Sequence, residues 1–285
     1  MRILITGSSG QLGAAIAQQL STEHEPIGID IVPGQWTQQI VSITHRQTLF
    51  YLTKRIDAII HTASLHQPHI ATHTKQEFID TNVTGTLNLL EAAIATGVQR
   101  FVYTSTTSLY GSAMVPSNKA VWVTEDLLPH PRDIYDHTKI TAERLCQRFA
   151  SDTGFPIRCL RVSRFFAQSP KLQALYRLYR GVDVRDAATA HTLAITNQNN
   201  TFDIFNISAR SPFQESDTTQ LLHDAPSVLR RYVPDIEQIF SRQGWKIPSS
   251  IDRVYSIEKA ERLLGYRPAY NFSEYMQALE DPPHR

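Results

Sequence analysis

The sequence predicts an α/β fold in which a parallel β-sheet is covered by helices on both faces. Over the first 165 residues, short apolar runs alternate with longer segments of helical spacing. Runs such as Arg2–Thr6 are mostly apolar, as in strands that are buried on both faces. A glycine-rich turn joins this first run directly to a helical segment, and that connection is typical of βαβ units.

The elements follow in chain order. Six segments are predicted as strands: Arg2–Thr6, Pro26–Ile31, Ile56–His61, Phe101–Ser105, Ile157–Val162 and Phe202–Ile207. Helices are predicted after the glycine-rich turn and at Asn82–Thr96, Asp133–Ala150 and Gln168–Arg180, and Gly181–Ile195 is predicted as a short strand leading into a helix. Residues 208–250 contain four prolines and are expected to form loops and short helices.

Two units are expected from this pattern. Residues 1–163 carry the regular alternation and are predicted to form a nucleotide-binding domain. Residues 164–285 are predicted to form a smaller substrate-binding lobe, of which 183–200 pack back on the first domain.

Composition excludes several classes of protein. With 28 Lys and Arg against 27 Asp and Glu, the net charge of +1 gives no case for a nucleic-acid or membrane partner. No apolar run approaches the roughly 18–20 residues of a membrane span, and the amino terminus does not resemble a signal peptide. Two cysteines, Cys146 and Cys159, are expected to be reduced thiols in a cytoplasmic protein.

The turn after the first strand has the sequence of a phosphate-binding loop. Thr6–Gly13 reads T-G-S-S-G-Q-L-G, with three glycines immediately before a helix. Glycines let the backbone approach a pyrophosphate, and the helix directs free N–H groups and its positive dipole end at that charge. A purely structural turn is the alternative. The predicted Rossmann-type site uses Gly7, Ser9, Gly10, Gln11, Leu12 and Gly13.

Asp30, at the end of the second strand, indicates which dinucleotide binds. It lies 17 residues after Gly13, where a carboxylate can accept hydrogen bonds from the adenosine ribose. The same carboxylate would repel a 2′-phosphate, and no Arg or Lys follows within ten residues. We therefore expect NAD rather than NADP; a strand-end Asp that only caps a turn is the alternative.

A tyrosine and a lysine follow at helical spacing. Tyr135 and Lys139 lie one turn apart on one helix face, where the ammonium is expected to lower the pKa of the phenol. Such a phenol can take a proton from a substrate hydroxyl while a hydride leaves for a nicotinamide. About 30 residues earlier, a strand ends in the hydroxyl-rich segment Thr104–Gly111, at the sheet edge where α/β proteins bind ligands. The alternatives are a solvated lysine beside a packed tyrosine, and a Ser/Thr-rich turn that bonds its own backbone.

With these motifs in this order, the sequence resembles the extended short-chain dehydrogenase/reductases, and among them the NAD-dependent epimerase/dehydratase family that acts on nucleotide sugars. The resemblance covers nearly the whole chain. It rests on Thr6–Gly13, His61–Ser64, Asn82–Thr86, Ser105–Gly111, Tyr135 with Lys139, Val182–Asp186 and Ile251–Pro268.

The resemblance implies roles for individual residues. Tyr135 would be the general acid/base, Lys139 would bind the nicotinamide ribose, and Thr106 would orient the reacting oxygen. It implies further cofactor contacts at Ser42, Ile43, Thr62, Ala63, Ser64, Asn82 and Thr104. It implies substrate contacts at Ser64, His66, Thr106, Thr107 and Arg164. It also implies a homodimer formed through the helices at 85–97 and 135–150.

Some positions depart from the family pattern. Ser42-Ile43 stands where the family usually has Asp-Ile, and the Asn and Gly that usually follow Arg161 are absent. The following segment is short, which would suit a smaller substrate. Five arginines in this region could meet an anionic substrate or lie on a solvated surface: Arg161, Arg164, Arg177, Arg180 and Arg185.

Four histidines, His61, His66, His69 and His73, fall in one stretch. Neither a Cys nor an acidic residue between Asp57 and Glu77 completes a ligand set, so we predict no metal site. A substrate contact at this loop is the alternative to plain loop histidines.

The predicted function is NAD-dependent epimerisation of a sugar or nucleotide sugar. Thr107-Ser108 stands where dehydratases of the family usually carry Asp-Glu, which argues against dehydration. One alternative is a dehydrogenase or reductase of a smaller sugar, alcohol or ketone. Another is a nicotinamide-sensing regulator without catalysis, which the presence of the Tyr/Lys pair disfavours.

Overall fold

The structure is a computed structural model that describes residues 1–166, 168–196 and 201–280. Its centre is a parallel sheet of seven strands in the order β3-β2-β1-β4-β5-β7-β8, with a separate parallel pair β6-β9. The strands are β1 Arg2–Thr6, β2 Glu25–Asp30, β3 Gln39–Ile40, β4 Ala58–His61, β5 Arg100–Thr106, β6 Val121–Val123, β7 Ile157–Val162, β8 Phe202–Ile207 and β9 Arg253–Tyr255.

Helices cover both faces of the sheet. They are α1 Gln11–Leu20, α2 Arg46–Leu52, α3 Lys75–Ile79, α4 Gly85–Thr96, α5 Ile134–Thr153, α6 Pro170–Tyr179, α7 Val184–Thr196, α8 Thr218–His223, α9 Ala225–Tyr232, α10 Ile236–Arg242, α11 Glu258–Leu264 and α12 Phe272–Glu280. Among these helices, none is long and apolar enough to cross a bilayer within the described ranges. The predicted α/β class with a doubly covered parallel sheet is confirmed.

The alternating side chains of β1 explain why a layer of helices covers each face of the sheet. Ile3 and Ile5 pack with α1, α7 and α11 on one face, whereas Leu4 packs with α2, α4 and α5 on the other. All three side chains are fully buried. Because successive residues of a strand point to opposite faces, a wholly apolar strand requires a helical layer on each side.

A separate apolar core lies in the C-terminal part. Leu178, Phe213, Val228 and Phe240 are buried there, together with side chains of α12 and of the β6-β9 pair. Helix α7 packs instead against α1, on one face of the seven-stranded sheet. The division at residue 163 stays a prediction, and residues 197–200 of the segment expected to pack back lie outside the described residues.

Two predicted elements differ in the structure. The strand expected at the start of Gly181–Ile195 is only an isolated bridge between Arg164 and Gly181, and the helix begins at Val184. The helix expected from Asn82 begins with a π-helical turn, Asp80–Thr84, and becomes α-helical at Gly85. In that wider turn, the buried Asn82 side chain bonds the chain after β4.

Candidate active site

A large cleft opens at the carboxyl ends of β1, β4, β5 and β7. Its volume is about 1130 Å³. The order of the strands reverses between β1 and β4, and in open α/β sheets this switch point is where ligands bind. The predicted glycine loop and the predicted Tyr/Lys pair both line this one cleft.

The backbone of the glycine loop packs closely against its neighbours and leaves no room for a side chain at Gly7 or Gly13. Gly7 has a φ of +74° and donates its N–H to the carbonyl of Ile29 at 2.8 Å. A side chain at Gly13 would place its Cβ 2.1 Å from the carbonyl oxygen of Gly7. Helix α1 begins directly after Gly10, and its first residues line the cleft. The positive end of the helix dipole therefore faces the cleft.

Asp30 ties this loop to the end of β2. Its carboxylate accepts N–H groups from Ser9 at 3.0 Å, Ile31 at 2.7 Å and Val32 at 3.3 Å. The Ser9 hydroxyl donates to the carbonyl of Val32 and bonds Thr37, so this side chain is used within the protein and lies outside the cleft lining. Asp30 itself lines the cleft.

The chain after β4 forms the middle of the cleft wall. Thr62, Ala63 and Ser64 line it, as do the predicted residues Ser42 and Ile43 on the neighbouring wall. Asn82 lies behind this wall rather than in it. Its amide bonds the Leu65 N–H at 2.8 Å, the Leu65 carbonyl at 2.9 Å and the Thr138 hydroxyl at 3.0 Å, and the residue is 1% exposed.

His61 is a structural residue below this wall. Its ring nitrogens bond the hydroxyls of Thr6 at 2.7 Å and Thr86 at 3.0 Å. Burial, with the charge of Lys139, lowers the pKa of His61 to about 3, so the ring is neutral at physiological pH. The hydrogen bonds to two hydroxyls are those of a neutral imidazole, with one donating and one accepting nitrogen.

The predicted catalytic residues meet at the far end of the cleft. Tyr135, in the first turn of α5, and Thr106, at the end of β5, line the cleft together. Lys139 donates to the carbonyl of Thr104 at 2.6 Å and lies 4.4 Å from the ring centre of Tyr103. Thr104, Thr106 and Thr107 all line the cleft beside Tyr135 and Lys139.

The expected effect of Lys139 on Tyr135 is wrong for the protein alone. Burial raises the pKa of Tyr135 above its ordinary value, the hydrogen bond from Thr106 lowers it, and the carboxylates of Asp136 and Asp133 raise it further. Lys139 is itself buried, and burial lowers its pKa to about 7, against a raising effect of Glu143. The ammonium is directed at Thr104 instead of the phenol, which is why the spacing alone misled.

Two buried hydroxyls near this point find no hydrogen-bond partner among the described residues. They are the Ser105 Oγ and the Tyr103 Oη. An unpaired buried polar group is costly, and it is found chiefly where a ligand or water completes the bonding. Ser105 lines the cleft, so its hydroxyl is available to a bound group.

The opposite wall of the cleft is basic and aromatic. Arg164 and Arg180 line it, as the sequence suggested, and so do Arg132 and Arg253, which it did not single out. Among the described lining residues, the only carboxylates are Asp30 and Asp133. The position of Arg132 three residues before Tyr135 was a usable signal, whereas Arg253 enters the cleft through the pairing of β9 with β6.

The other three arginines of that segment serve the fold. Arg161 is buried in a two-bond ion pair with Glu143, at 3.0 and 2.8 Å. Arg177 and Arg185 both bind the carboxylate of Asp183. None of these three lines the cleft, and each of their guanidinium groups has a carboxylate partner, so the expected anion-binding role in this cleft is wrong for them.

Three of the histidines line the cleft mouth. The rings of His66 and His69 lie 4.2 Å apart, and His69 is 5.1 Å from His73. His66 also stacks on Phe166 at 5.2 Å, across the cleft. Burial lowers the pKa of His66, which favours the neutral ring. Within the described residues, no group of three or more His, Cys, Asp or Glu is arranged to hold a metal ion.

The sequence profile of the NAD dependent epimerase/dehydratase family matches residues 3–179. The chain belongs to this family. Its resemblance to the extended short-chain dehydrogenase/reductases is confirmed, and so is its assignment as an enzyme of that type, in a family that depends on NAD.

Relatives support the same grouping over the full chain. GDP-6-deoxy-D-mannose reductase of Pseudomonas aeruginosa is 23% identical over 305 aligned positions, covering 98% of this chain and 95% of the relative. The UDP-glucose 4-epimerase of Thermotoga maritima, solved with UDP-glucose, has a TM-score of 0.73 at 20% identity, covering 97% and 96% of the two chains. The UDP-glucuronic acid 4-epimerase of Bacillus cereus, solved with UDP-glucuronic acid and NAD, has a TM-score of 0.71 at 24% identity, covering 98% and 97%. The two structures share the fold.

Proposed function

We propose that this protein is an NAD-dependent epimerase that acts on a nucleotide sugar. The observation that carries the proposal is the distribution of groups along one cleft. A phosphate-binding glycine loop and Asp30 lie at one end, and Tyr135, Thr106 and Lys139 lie at the other. That spread matches a dinucleotide bound with its adenosine at Asp30 and its nicotinamide at Tyr135.

The residues present fit NAD. The N-terminus of α1 offers free N–H groups and a dipole to the pyrophosphate, with no acidic residue in its first turn. Asp30 offers a carboxylate to the adenosine ribose and disfavours a 2′-phosphate. The unpaired Ser105 hydroxyl and the Lys139 ammonium lie at the nicotinamide end.

The chain's own groups handle the proton. Tyr135 takes the proton of a substrate hydroxyl at its phenolic oxygen, and the Thr106 hydroxyl orients that substrate oxygen. Bound NAD would accept a hydride from the same substrate carbon and return it during epimerisation. Because burial raises the pKa of Tyr135, the phenol needs added positive charge to ionise near neutral pH. Lys139 and an oxidised nicotinamide are the candidates for that charge.

An anionic substrate fits the opposite wall. Arg164 and Arg180 line the cleft with no carboxylate partner among the described residues, and Arg132 and Arg253, which pair with Asp136 and Asp252, line it as well. Arginine binds phosphate and carboxylate oxygens through two parallel N–H groups, so these side chains suit the diphosphate of a nucleotide sugar. The stacked rings of His66 and Phe166 offer an apolar edge beside them.

A reductase is the second candidate. The similarity to a GDP-6-deoxy-D-mannose reductase extends over 98% of this chain, which favours it. The two candidates differ in whether the cofactor is retained through turnover or exchanged. A homodimer formed through α4 and α5 and a cytoplasmic location stay predictions.

The test begins with protein purified without added cofactor. The protein is denatured, and its supernatant is analysed by mass spectrometry for nicotinamide dinucleotides. Near-stoichiometric NAD supports the epimerase and is followed by a screen of UDP- and GDP-sugars for epimerisation. An empty site favours the reductase, which is then assayed by the change in absorbance of the reduced cofactor.

Tyr135→Phe decides the mechanism in either case. Removal of the phenolic oxygen is expected to lower turnover by about 10²-fold or more while NAD affinity changes little. Tyr51→Phe, an exposed tyrosine away from the cleft, is the matched control. A Phe variant that turns over like the control would refute the role given to Tyr135.

A further inference from the structure

The residue after Tyr135 is a fully buried carboxylate. Asp136 is 0% exposed, although it lies in the first turn of α5 at the wall of the cleft. Its Oδ1 accepts the hydroxyl of Ser108 at 2.6 Å, and its Oδ2 accepts the Arg132 N–H at 3.2 Å and the Arg132 Nε–H at 3.3 Å. A buried carboxylate is tolerated only with such partners.

These bonds join the turn after β5 to the residue beside the reacting phenol. The Ser108 N–H donates to the Thr106 hydroxyl at 3.1 Å, and Thr106 lines the cleft beside Tyr135. Arg132 also reaches the Ser108 hydroxyl at 3.2 Å. Thr106, Ser108 and Asp136 are therefore linked in sequence by hydrogen bonds, and Asp136 is covalently joined to Tyr135. The linked residues connect the 3₁₀ turn Thr107–Tyr110 after β5 to the start of α5.

We propose that Asp136 is a positioning residue for Tyr135: its buried carboxylate, held by Ser108 and Arg132, ties the turn after β5 to the turn of α5 that carries the phenol. The inference rests on the proposed function only in taking Tyr135 as the reacting group. A positional error of about 1 Å between such groups can cost about 10²-fold in rate, so a tie of this kind matters for turnover.

The charge has a defined direction. The carboxylates of Asp136 and Asp133 both raise the pKa of Tyr135. Arg132 partly offsets Asp136, to which it is paired. The other ionisable groups around the phenol are Tyr103 on β5, Lys139 on α5, His66 on the loop after β4, and Arg164 and Arg253 on the opposite wall. Among the described residues the ionic partner of Asp136 is Arg132, so variants of Asp136 also leave that guanidinium without its carboxylate.

Three variants separate the effect of the Ser108–Asp136 hydrogen bond, here called the tie, from the effect of the negative charge on Asp136. Ser108→Ala removes the hydroxyl that Asp136 holds and keeps the carboxylate. Asp136→Asn keeps an oxygen acceptor for Ser108 and removes the charge. Asp136→Ala removes both. Asp152→Asn is the matched control, because Asp152 forms the same i,i+4 pair with Arg148 at the exposed far end of α5.

The effect of the Asp136 charge on the ionisation of Tyr135 is measured without turnover. NAD-saturated protein carrying ¹³Cζ-labelled tyrosine is titrated by NMR, and the Tyr135 signal is the one absent from Tyr135→Phe. Asp136→Asn and Asp136→Ala are expected to lower the titration midpoint of Tyr135 by about one pH unit. Ser108→Ala and Asp152→Asn are expected to leave it at the wild-type value.

Amide hydrogen exchange measures how firmly the Ser108–Asp136 hydrogen bond holds the turn after β5 to the start of α5. Ser108→Ala and Asp136→Ala are expected to speed amide exchange in the peptides that cover 103–112 and 130–140, whereas Asp136→Asn and Asp152→Asn change it less. If a nucleotide sugar is turned over, Ser108→Ala also lowers kcat by about tenfold with a smaller change in KM.

Each outcome supports or overturns either the effect of the Asp136 charge or the role of the tie. A Tyr135 midpoint in Asp136→Asn equal to that of the wild type overturns the role of the charge. Wild-type exchange in Ser108→Ala overturns the tie, even where Asp136→Ala fails to fold. If the midpoints and exchange rates change as expected but the wild type turns over no sugar substrate, the proposed function fails and the inference on Asp136 stands.

Discussion

Lys139 donates a hydrogen bond of 2.6 Å to the backbone carbonyl of Thr104, and the residue is 3% exposed. This contact fixes the ammonium at the end of β5, on the cleft wall. Burial lowers the pKa of Lys139 from 10.5 to about 7. The lysine is therefore held on the cleft wall at a cost to the stability of the ligand-free protein.

Lys139→Met is expected to stabilise the ligand-free protein at pH 6. Below pH 7 the wild-type lysine is charged in both states, so the full cost of its burial lowers the free energy of unfolding. Between pH 7 and 10.5 the unfolded state binds more protons than the folded state, so wild-type stability rises with pH. The advantage of the variant therefore shrinks across that range.

Urea unfolding at pH 6, 8 and 10 measures this, with Lys54→Met as the control because Lys54 is exposed. A Lys139→Met protein that is less stable than the wild type at pH 6 would contradict the assignment of a buried, penalised ammonium.

His191→Gln is expected to reduce the loss of stability that the protein shows as the pH falls. The His191 Nε2 bonds the Thr104 hydroxyl at 2.8 Å and its Nδ1 bonds the carbonyl of Ala187 at 2.7 Å. Burial lowers the pKa of His191 to about 4. Between pH 6.5 and 4 the unfolded state therefore binds the extra proton, and wild-type stability falls as the pH falls.

The variant is expected to lose part of this pH dependence, and His61, whose pKa is about 3, supplies the remainder. Thermal unfolding from pH 7 to 4 is the measurement, with the exposed His137→Gln as control. Equal slopes for His191→Gln and the wild type would show that His191 is not the titrating group.

Gly13→Ala is expected to abolish dinucleotide binding. The new Cβ would lie 2.1 Å from the Gly7 carbonyl oxygen, so the loop and the first turn of α1 must move apart. Gly97→Ala is the contrast, because no atom lies within 4 Å of its Cβ although its φ is +79°. That change is expected to cost only about 1 kcal/mol of stability and to leave NAD affinity unaltered. Calorimetric titration with NAD compares the two variants, and similar affinities would count against the loop geometry.

Asp30→Ala is expected to weaken NAD binding by about tenfold or more, since three backbone N–H groups and the ribose lose a charged acceptor. Asp57→Ala is a matched control. Asp57 also accepts a backbone N–H, from Arg2 at 2.6 Å, at the other end of the sheet. It is expected to lose stability and keep its NAD affinity. A wild-type protein that prefers NADP would refute the role of Asp30.

Local signals predicted the parts of the site that are local in the chain. The glycine loop is read from eight consecutive residues, and Tyr135 and Lys139 are read from one helical turn. The pKa direction of Tyr135 was missed because it depends on burial and on the true partner of Lys139, neither of which the spacing contains.

Contacts between residues far apart in the chain explain the other residues whose roles the sequence did not predict. Arg161 looked like its neighbours Arg164 and Arg180, and only the position of Glu143 on α5 shows that it is used in the core. Arg253 reaches the cleft because a strand of three residues pairs with another some 130 positions earlier. Short strands of this kind carry too little sequence pattern to be recognised alone.

The pairing of β6 with β9 also sets an order of assembly. The glycine loop, Asp30 and Tyr135 are all synthesised within the first half of the chain, whereas Arg253 and Tyr255 emerge near its end. Contacts between residues so far apart in the chain form late, after the loop-closure entropy has been overcome. Arg253 and Tyr255 are thus the last residues to join the cleft, and a chain shortened before β9 keeps the glycine loop, Asp30, Tyr135, Arg164 and Arg180 but loses these two side chains.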